Sequence, residues 1–551
     1  MITESLEFVR RKSVFLAILA IIVFLIYSIS LDAPFHYDDE RVIYKDKSIR
    51  SLDIQDIFKA NPFRFLLTLS FALNYHFSAL STSGYRIVNI LIHIANVIFL
   101  YLLILKLQPH LLKEYEIKEP ASPAFLCSIF FALSPVMVES VTYISSRSEI
   151  LCAFFIFPSF YFLICFLEKE KNLYLAASVF FYIAATLTKE RGAMLFFLLP
   201  VAVFCINGTK KLKQSFLSLA PFLVMACVYM FYRKYARGDS LSTGFVTDSY
   251  LHFLLQAEAS LKNFRTVLLP VNLSIFYWFF NPQSFFEFSA SGHLLLFVFS
   301  IFFSILIAPK KIWVIFFWCW YFIFLSPNII FPFQDIMADR WLYLPSAGIY
   351  SIFSFFVYWL FRKEQFSKTA VIIAVIISFC FVGMTIDRNR VWKSGVTLWE
   401  DTVKKAFLSP RTHNNYGVAL ATSGKIKESI REFQISLEIN KWYSPAWSNL
   451  AKAYRTEGNE EEMLKATSAL VDCGEYYVKQ GAYKEAVMSY NSVLEYVPDS
   501  IAAMGNLATI YIIIGNNDLG RKYLMKLLEI APDNKAAREM LSRIGEGNGT
   551  D

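Results

Sequence analysis

Asp38 and Asp39 stand side by side in a short polar stretch, His36-Tyr37-Asp38-Asp39-Glu40-Arg41, just after the first long apolar run of the chain. A carboxylate at such a point can accept a proton from an attacking hydroxyl, given a suitable position and pKa. A pair of aspartates is equally at home in a turn or at a solvated edge, so the pair alone decides nothing. Further along, cations recur at the ends of apolar runs as Arg147, Lys189, Arg191 and Arg340, with the acidic residues Glu139, Glu190 and Asp339 close by. The guanidinium fork and the ammonium group both suit phosphate oxygens. These four cations are therefore candidate ligands for the phosphate of a lipid-linked group at a membrane boundary. The competing reading makes them anchors or internal ion pairs, Lys189 and Arg191 with Glu190, and Arg340 with Asp339.

The elements that must carry these residues are membrane helices. Hydrophobic residues make up 56% of the 551-residue chain and charged residues 18%, against about 25% charged in ordinary globular chains. Apolar runs at 13–31, 84–106, 124–143, 148–167, 172–188, 191–206, 215–232, 292–308, 312–328, 341–361 and 367–386 predict about eleven transmembrane helices within residues 1–390. The segment 251–269 is interrupted by Glu258, Lys262 and Arg265 and reads as an interfacial helix, its crossing left open. Alternating spans put Lys113 and Lys118, Lys169 and Lys171, Lys210, Lys211 and Lys213, Lys310 and Lys311, and Arg362 and Lys363 in inner loops, as the positive-inside rule expects. The N-terminus is then cytoplasmic, and Asp38 and the four cations share the outer face. A net charge of +8 points to topology and not to nucleic acid, because the basic residues sit mainly in these short loops. Seven of the eight cysteines lie in or beside apolar stretches and read as small buried hydrophobes.

Beyond a linker at 391–410, residues 411–546 change to amphipathic helices of balanced charge. Gly424 and Gly458 are 34 residues apart, as are Gly481 and Gly515, which is the tetratricopeptide period. The interval between Gly458 and Gly481 is 11 residues short of that period, so the second unit is truncated or its second helix runs on into the next. The helix after Pro532 reads as a polar cap. Stacked hairpins of this kind offer a concave binding surface, and Asn415, Trp447, Asn449 and Tyr454 are its candidate partner-binding residues. A rigid spacer is the alternative.

The motifs resemble a known family. Tyr37-Asp38-Asp39 resembles the Tyr-Asp-Asp of the TMTC-like, tetratricopeptide-containing glycosyltransferases of the GT-C superfamily, relatives of the protein O-mannosyltransferases. The segments Asn74 to Gly84, Asn89 to Asn96, Ala132 to Val141, Ser146 to Glu149, Leu187 to Glu190 and Met337 to Pro345 are similar to the same family, in order. The resemblance implies an all-α polytopic GT-C fold followed by a soluble tetratricopeptide solenoid. It implies inverting transfer of a monosaccharide from a polyprenyl-phosphate donor to a hydroxyl on the extracytoplasmic face. Asp38 then falls on the general base and Asp39 on its acidic neighbour, while Glu139, Arg147, Lys189 and Arg340 fall on the family's Glu, Arg, Lys and Arg positions. The family's turn before Glu139 usually carries two histidines where this chain has Ser134 and Met137, which weakens the case for a histidine-held metal. No cofactor is assigned; an oxygen-bound divalent cation, Mg or Mn, at Asp38 and Asp39 stays open. His93, on an apolar span, reads as a helix-packing contact with a supporting role.

The leading expectation is an enzyme working among membrane lipids. Its partners are a polyprenyl-phosphate-linked sugar and an acceptor polypeptide held by the repeats, with no nucleic acid. An envelope glycan or lipid acceptor, or a non-catalytic repeat scaffold for export or assembly, are the alternatives. A transporter is disfavoured because the ionisable groups gather at one surface. The absence of a retention signal at Gly549-Thr550-Asp551 points to a bacterial inner membrane with periplasmic repeats, the endoplasmic reticulum with luminal repeats being the other setting.

Overall fold

The structure is a computed structural model that describes residues 2–112, 121–207, 218–237, 249–279, 286–287, 291–308, 311–331, 335–361 and 364–546. Every regular element among these residues is helical, and the chain divides into two compact units, 1–397 and 398–551. The stretch 391–410, read from sequence as a linker, is largely taken up by the helix Gly395–Lys405.

In the first unit five described helices are long and apolar enough to cross a membrane: Thr82–Leu111, Ile144–Lys169, Ile312–Ile330, Asp339–Leu360 and Lys368–Val391. A sixth is available if the bent pair Pro123–Leu133 and Pro135–Thr142 counts as one span. Among the described residues the expected number of about eleven is not reached. Asn172–Thr186 and His293–Ile307 are apolar but shorter, Leu195–Asn207 has 13 residues, and the apolar stretch Ser13–Ser28 is the end of a 27-residue helix, Ile2–Ser28. The ends of these runs are spent on turns. The run expected to continue to 188 stops being helical at Thr186. A 3₁₀ turn, Glu190–Met194, then precedes Leu195. Those turns carry the charged residues.

The 51° bend has a local cause. Pro135 cannot donate to the helical ladder, and the Ser134 hydroxyl caps the new start by accepting from Val136 N at 3.3 Å. The short helix Val138–Thr142 that follows carries Glu139. Aromatic rings fill the space between helices, with Trp313 stacked on Phe355 at 5.3 Å and Phe160 on Phe316 at 6.1 Å. The segment 251–269 is indeed a helix, Ser249–Leu268, and is not among the spans. His252 and Gln256 on it bond the backbone carbonyls of Ile329 and Asn328. Of the basic residues assigned to inner loops, Lys113, Lys118, Lys210, Lys211, Lys213, Lys310, Arg362 and Lys363 lie outside the described residues, as do Gly549, Thr550 and Asp551.

In the second unit the hairpins run Pro410–Thr422 with Ile426–Ile439, Ser444–Glu457 with Glu460–Lys479, and Ile501–Ile513 with Asn517–Ile530, closed by Lys535–Glu546. Gly424, Gly458, Gly481 and Gly515 all have positive φ, between 70° and 83°, at the turns between helices, a conformation that favours glycine. The missing 11 residues are explained by Glu460–Lys479. This 20-residue helix follows the Gly458 turn as a second helix and precedes the Gly481 turn as a first helix, pairing with Tyr483–Tyr496. The final helix buries Ala537 and Ile544 against Met504, Ala508, Leu524 and Leu527.

Candidate active site

The polar stretch after the first helix is stapled down from below. Arg86, fully buried on Thr82–Leu111, donates to the carbonyls of Leu31 at 3.3 Å, Pro34 at 2.6 Å and Thr142 at 3.2 Å, and also to that of Ala33. His36 is buried, bonds the Trp392 carbonyl through Nε2 at 2.8 Å and packs edge-on against the Trp392 ring. Burial lowers its imidazole to about 4, which keeps it neutral. Tyr37 follows with φ of 46°, a left-handed conformation for a bulky residue.

The two aspartates part company at this point. Asp39 is fully buried, and its carboxylate accepts from His36 N at 3.1 Å, from Ser145 N at 2.7 Å and from the Ser145 hydroxyl at 2.5 Å. Burial pushes its carboxyl up to about 6 against those hydrogen bonds. Asp38 keeps 41% of its side chain exposed and faces a cavity of about 370 Å³. Its backbone N–H donates to the Tyr143 hydroxyl at 2.9 Å, and the Tyr143 ring stacks on Trp392 at 5.4 Å. Asp39 is thus placed as an anchor and Asp38 as the carboxylate in reach of a ligand.

Five cations line the same cavity: Arg41, Arg64, Lys189, Arg191 and Arg340. The carboxylates that hold three of them stand behind the wall. Glu149, with no exposed surface, sits in the first turn of Arg147–Lys169 and takes Lys189 at 2.6 Å and Arg191 at 3.0 Å. The short turn bearing both cations is pressed onto helix Asn172–Thr186; a Cβ on Gly192 would lie 2.4 Å from the Ala185 carbonyl carbon, so glycine is required for the approach. Glu139, also buried, takes Arg340 at 2.5 Å, and Asp335 lies 3.6 Å from the same guanidinium. Glu190 lines the cavity and pairs with Arg64 at 2.9 Å. Arg191 further donates to the Trp341 carbonyl and to Asn328 Oδ1, both at 2.9 Å. Burial lowers the Lys189 ammonium from its ordinary value, with Glu149 opposing. The close ion pairs of these cations are with carboxylates distant in sequence, Lys189 and Arg191 with Glu149 and Arg340 with Glu139, and not the neighbour pairings considered from sequence. Asp339 instead accepts from the Tyr277 hydroxyl at 2.5 Å.

Arg147 is placed away from the cavity. Its guanidinium is fully buried and donates to Asn89 Oδ1 and Asn74 Oδ1, each at 2.7 Å, to the Tyr85 carbonyl at 2.9 Å and to the Ser70 carbonyl at 3.2 Å, with the Phe71 ring 4.6 Å from its carbon. It ties helices Phe65–Ser78 and Thr82–Leu111 to the start of its own. His93 is likewise interior, with Nδ1 2.7 Å from the Tyr343 hydroxyl. Arg64, Tyr143, Glu149 and Asn328 were missed by the sequence reading as site residues. Arg64 carried one signal, a lone charge before an apolar run.

Both Asp39 oxygens already receive N–H or O–H donors, and no cluster of three or more His, Cys, Asp or Glu able to hold a metal occurs among the described residues. What the cavity offers is a loosely paired carboxylate, Asp38, in a lining shared with five cations and with Glu190, which Arg64 holds: a proton acceptor and an anion site in one chamber.

A second groove, about 660 Å³, lies in the repeats and is lined by Trp447, Tyr454, Gln434, Glu438, Glu462 and Lys465 among others. The Trp447 indole N–H donates to the Lys441 carbonyl, fixing the ring. Asn415 and Asn449 do not line this groove; they are linked through Asn414, which accepts from Asn449 at 2.8 Å and donates to Asn415 at 3.2 Å.

Residues 477–544 match a family model described as tetratricopeptide repeat. The chain is similar to the protein O-mannosyl-transferase F38B6.6 of Caenorhabditis elegans, 24% identical over 69% of this chain and 54% of that protein. It is also similar to the human protein O-mannosyl-transferase TMTC3, 23% identical over 80% of this chain and 53% of that protein. The chain spans about half the length of these curated relatives. The crystal structure of ArnT from Cupriavidus metallidurans bound to undecaprenyl phosphate aligns at a TM-score of 0.40 with 10% identity, covering 84% of this chain and 79% of that one, a likeness too slight to argue from.

Proposed function

We propose that the chain is an integral-membrane glycosyltransferase that moves a monosaccharide from a polyprenyl-phosphate donor to a hydroxyl, with protein Ser or Thr as the favoured acceptor. The observation that carries this reading is the shared cavity, which Asp38 lines together with Arg41, Arg64, Lys189, Arg191 and Arg340. Similarity to protein O-mannosyl-transferases over most of the chain supports the same class of reaction.

In the step proposed, the acceptor oxygen attacks the sugar's anomeric carbon while Asp38 takes the hydroxyl proton. The bond from that carbon to the phosphate oxygen breaks on the opposite side, with inversion, and its electron pair leaves on the phosphate. The cationic wall stabilises the charge that gathers there. The leaving phosphate is already anionic, so the step asks for no separate acid. Asp39, Ser145 and Tyr143 hold Asp38 in place. Arg340, Lys189 and Arg191 contact the phosphate, and Glu139 and Glu149 aim them. Transfer takes place on the extracytoplasmic face, and the repeat groove around Trp447 and Tyr454 recruits the acceptor polypeptide.

Asp38→Asn tests the assignment. Transfer from a polyprenyl-phosphate monosaccharide should fall about 10²- to 10⁴-fold, the range a positioned base contributes, with the melting temperature unchanged. Normal transfer by a folded Asp38→Asn chain would remove Asp38 from the mechanism and favour a scaffold.

A further inference from the structure

Four of the five cations in the cavity are held firmly. Arg64, Lys189, Arg191 and Arg340 each lie within 3.0 Å of a carboxylate oxygen. Arg41 differs. Its side chain is 79% exposed and its guanidinium stands 3.5 Å from Asp38, beyond the 2.7–2.9 Å of a charge-assisted hydrogen bond. The two residues sit one turn apart, yet their backbones are fixed by different means: Asp38 by Tyr143 and the Asp39 anchor, Arg41 by the short π-helical turn Glu40–Tyr44. The long Arg41 side chain is the part free to move, and the carboxylate it covers is the reachable one.

Building on the proposed function, we infer that Arg41 exchanges partners, leaving Asp38 for the donor's phosphate when the donor enters. Without a donor, Arg41 lies over Asp38 as a loose ion pair and screens the carboxylate that would accept the acceptor's proton. A phosphate bearing negative charge in the same cavity competes for the guanidinium with better, bidentate geometry. The exchange uncovers the base only when a leaving group is present, so donor binding precedes activation of the acceptor. Arg41 thereby becomes a donor-sensing residue as well as a phosphate ligand.

A double-mutant cycle on the full chain in lipid nanodiscs tests this, with direct binding of polyprenyl monophosphate as the readout. Arg41→Ala should weaken binding about fivefold or more, and Arg41→Lys should restore part of it. Asp38→Asn should tighten binding about two- to fivefold, the scale of an exposed ion pair released, because Arg41 no longer has to be withdrawn. The deciding arm is Asp38→Asn in the Arg41→Ala background. It should give no tightening there, whereas a bare loss of negative charge near the phosphate would tighten binding with or without Arg41, and that result overturns the exchange. Unchanged binding by Arg41→Ala overturns it as well. Polyprenol, which lacks the phosphate, should bind without responding to either residue. Inorganic phosphate should repeat the ranking at lower affinity; the ranking seen with inorganic phosphate alone would make this a free-phosphate site and overturn the lipid assignment. If the wild-type chain binds none of the phosphates, the proposed donor itself fails; binding that ignores Arg41 sinks only the exchange.

Discussion

Glu149 and Arg191 in the first unit meet at 3.0 Å with 0% and 2% of their side chains exposed. In the second unit Lys465 and Glu461 meet at 2.8 Å with 60% and 80% exposed. His413 and Glu432 of that unit join two helices at 2.7 Å, but pairs such as Lys425 with Glu428 and Lys404 with Glu400 are of the i,i+3 and i,i+4 kind along the chain. They decorate a solvated face and contribute little. The pairs in the first unit join residues 40 and 201 positions apart, Lys189 to Glu149 and Arg340 to Glu139. Each had to be stripped of water, and a well-packed apolar substitute would often serve stability as well or better. Charges retained at such a disadvantage, and gathered on one cavity, point to a ligand that needs them. In the repeats Glu438, Glu462 and Lys465 edge an open groove, where water still reaches the charges.

Three measurements would break or sharpen this contrast. The largest effect is expected from Glu149→Ala, which leaves both Lys189 and Arg191 without their buried counter-charge. Loss of one side of such an arrangement costs about 3–5 kcal/mol, read as a lower melting temperature of the full chain in detergent. A melt indistinguishable from wild type would mean the cluster is wetter than its burial indicates.

A smaller effect is tied to pH. The Asp39 carboxyl titrates near 6 in the folded chain, above its ordinary value, so the folded state holds the proton more tightly than the unfolded state. Its contribution is complete below about pH 4 and is lost as pH rises through 6, a difference of about 2–3 kcal/mol at most. The melting temperature of wild type relative to Asp39→Asn should therefore fall between pH 4.5 and 7; a flat difference would contradict the buried placement of Asp39.

The smallest is Lys465→Ala in the repeats, expected to leave the melting temperature where it was. A clear drop there would erase the distinction between the two units.

Much of this arrangement could be read from residue order because ionisable side chains are conspicuous in an apolar chain. Asp38, Lys189, Arg191 and Arg340 stand out for that reason, and all four line the cavity. Spacing does not tell the front of a helix from its back. Arg147 and Glu149 are two residues apart at one helix start, yet Arg147 turns to Asn74 and Asn89 while Glu149 turns to the cations of the cavity. Arg64 escaped notice because the helix after it, Phe65–Ser78, is not among the long apolar runs that frame the other charges. The same limit applies at the ends of apolar runs: hydropathy cannot show that the last residues of a run leave the helix to build a turn, as at Leu187 to Lys189. In the repeats the 34-residue spacing carried more, since each positive-φ glycine marks a turn, although spacing could not choose between a truncated unit and a continuous helix.

That continuous helix, Glu460–Lys479, belongs to two successive hairpins at once. An ordinary array of repeats can crack at the seam between neighbours, opening from one end while the rest holds. Here no seam exists at the midpoint, because unravelling either hairpin strips the other of a helix. The array should melt in one step instead of fraying repeat by repeat, and its curvature through the centre is set by a single rod instead of a joint.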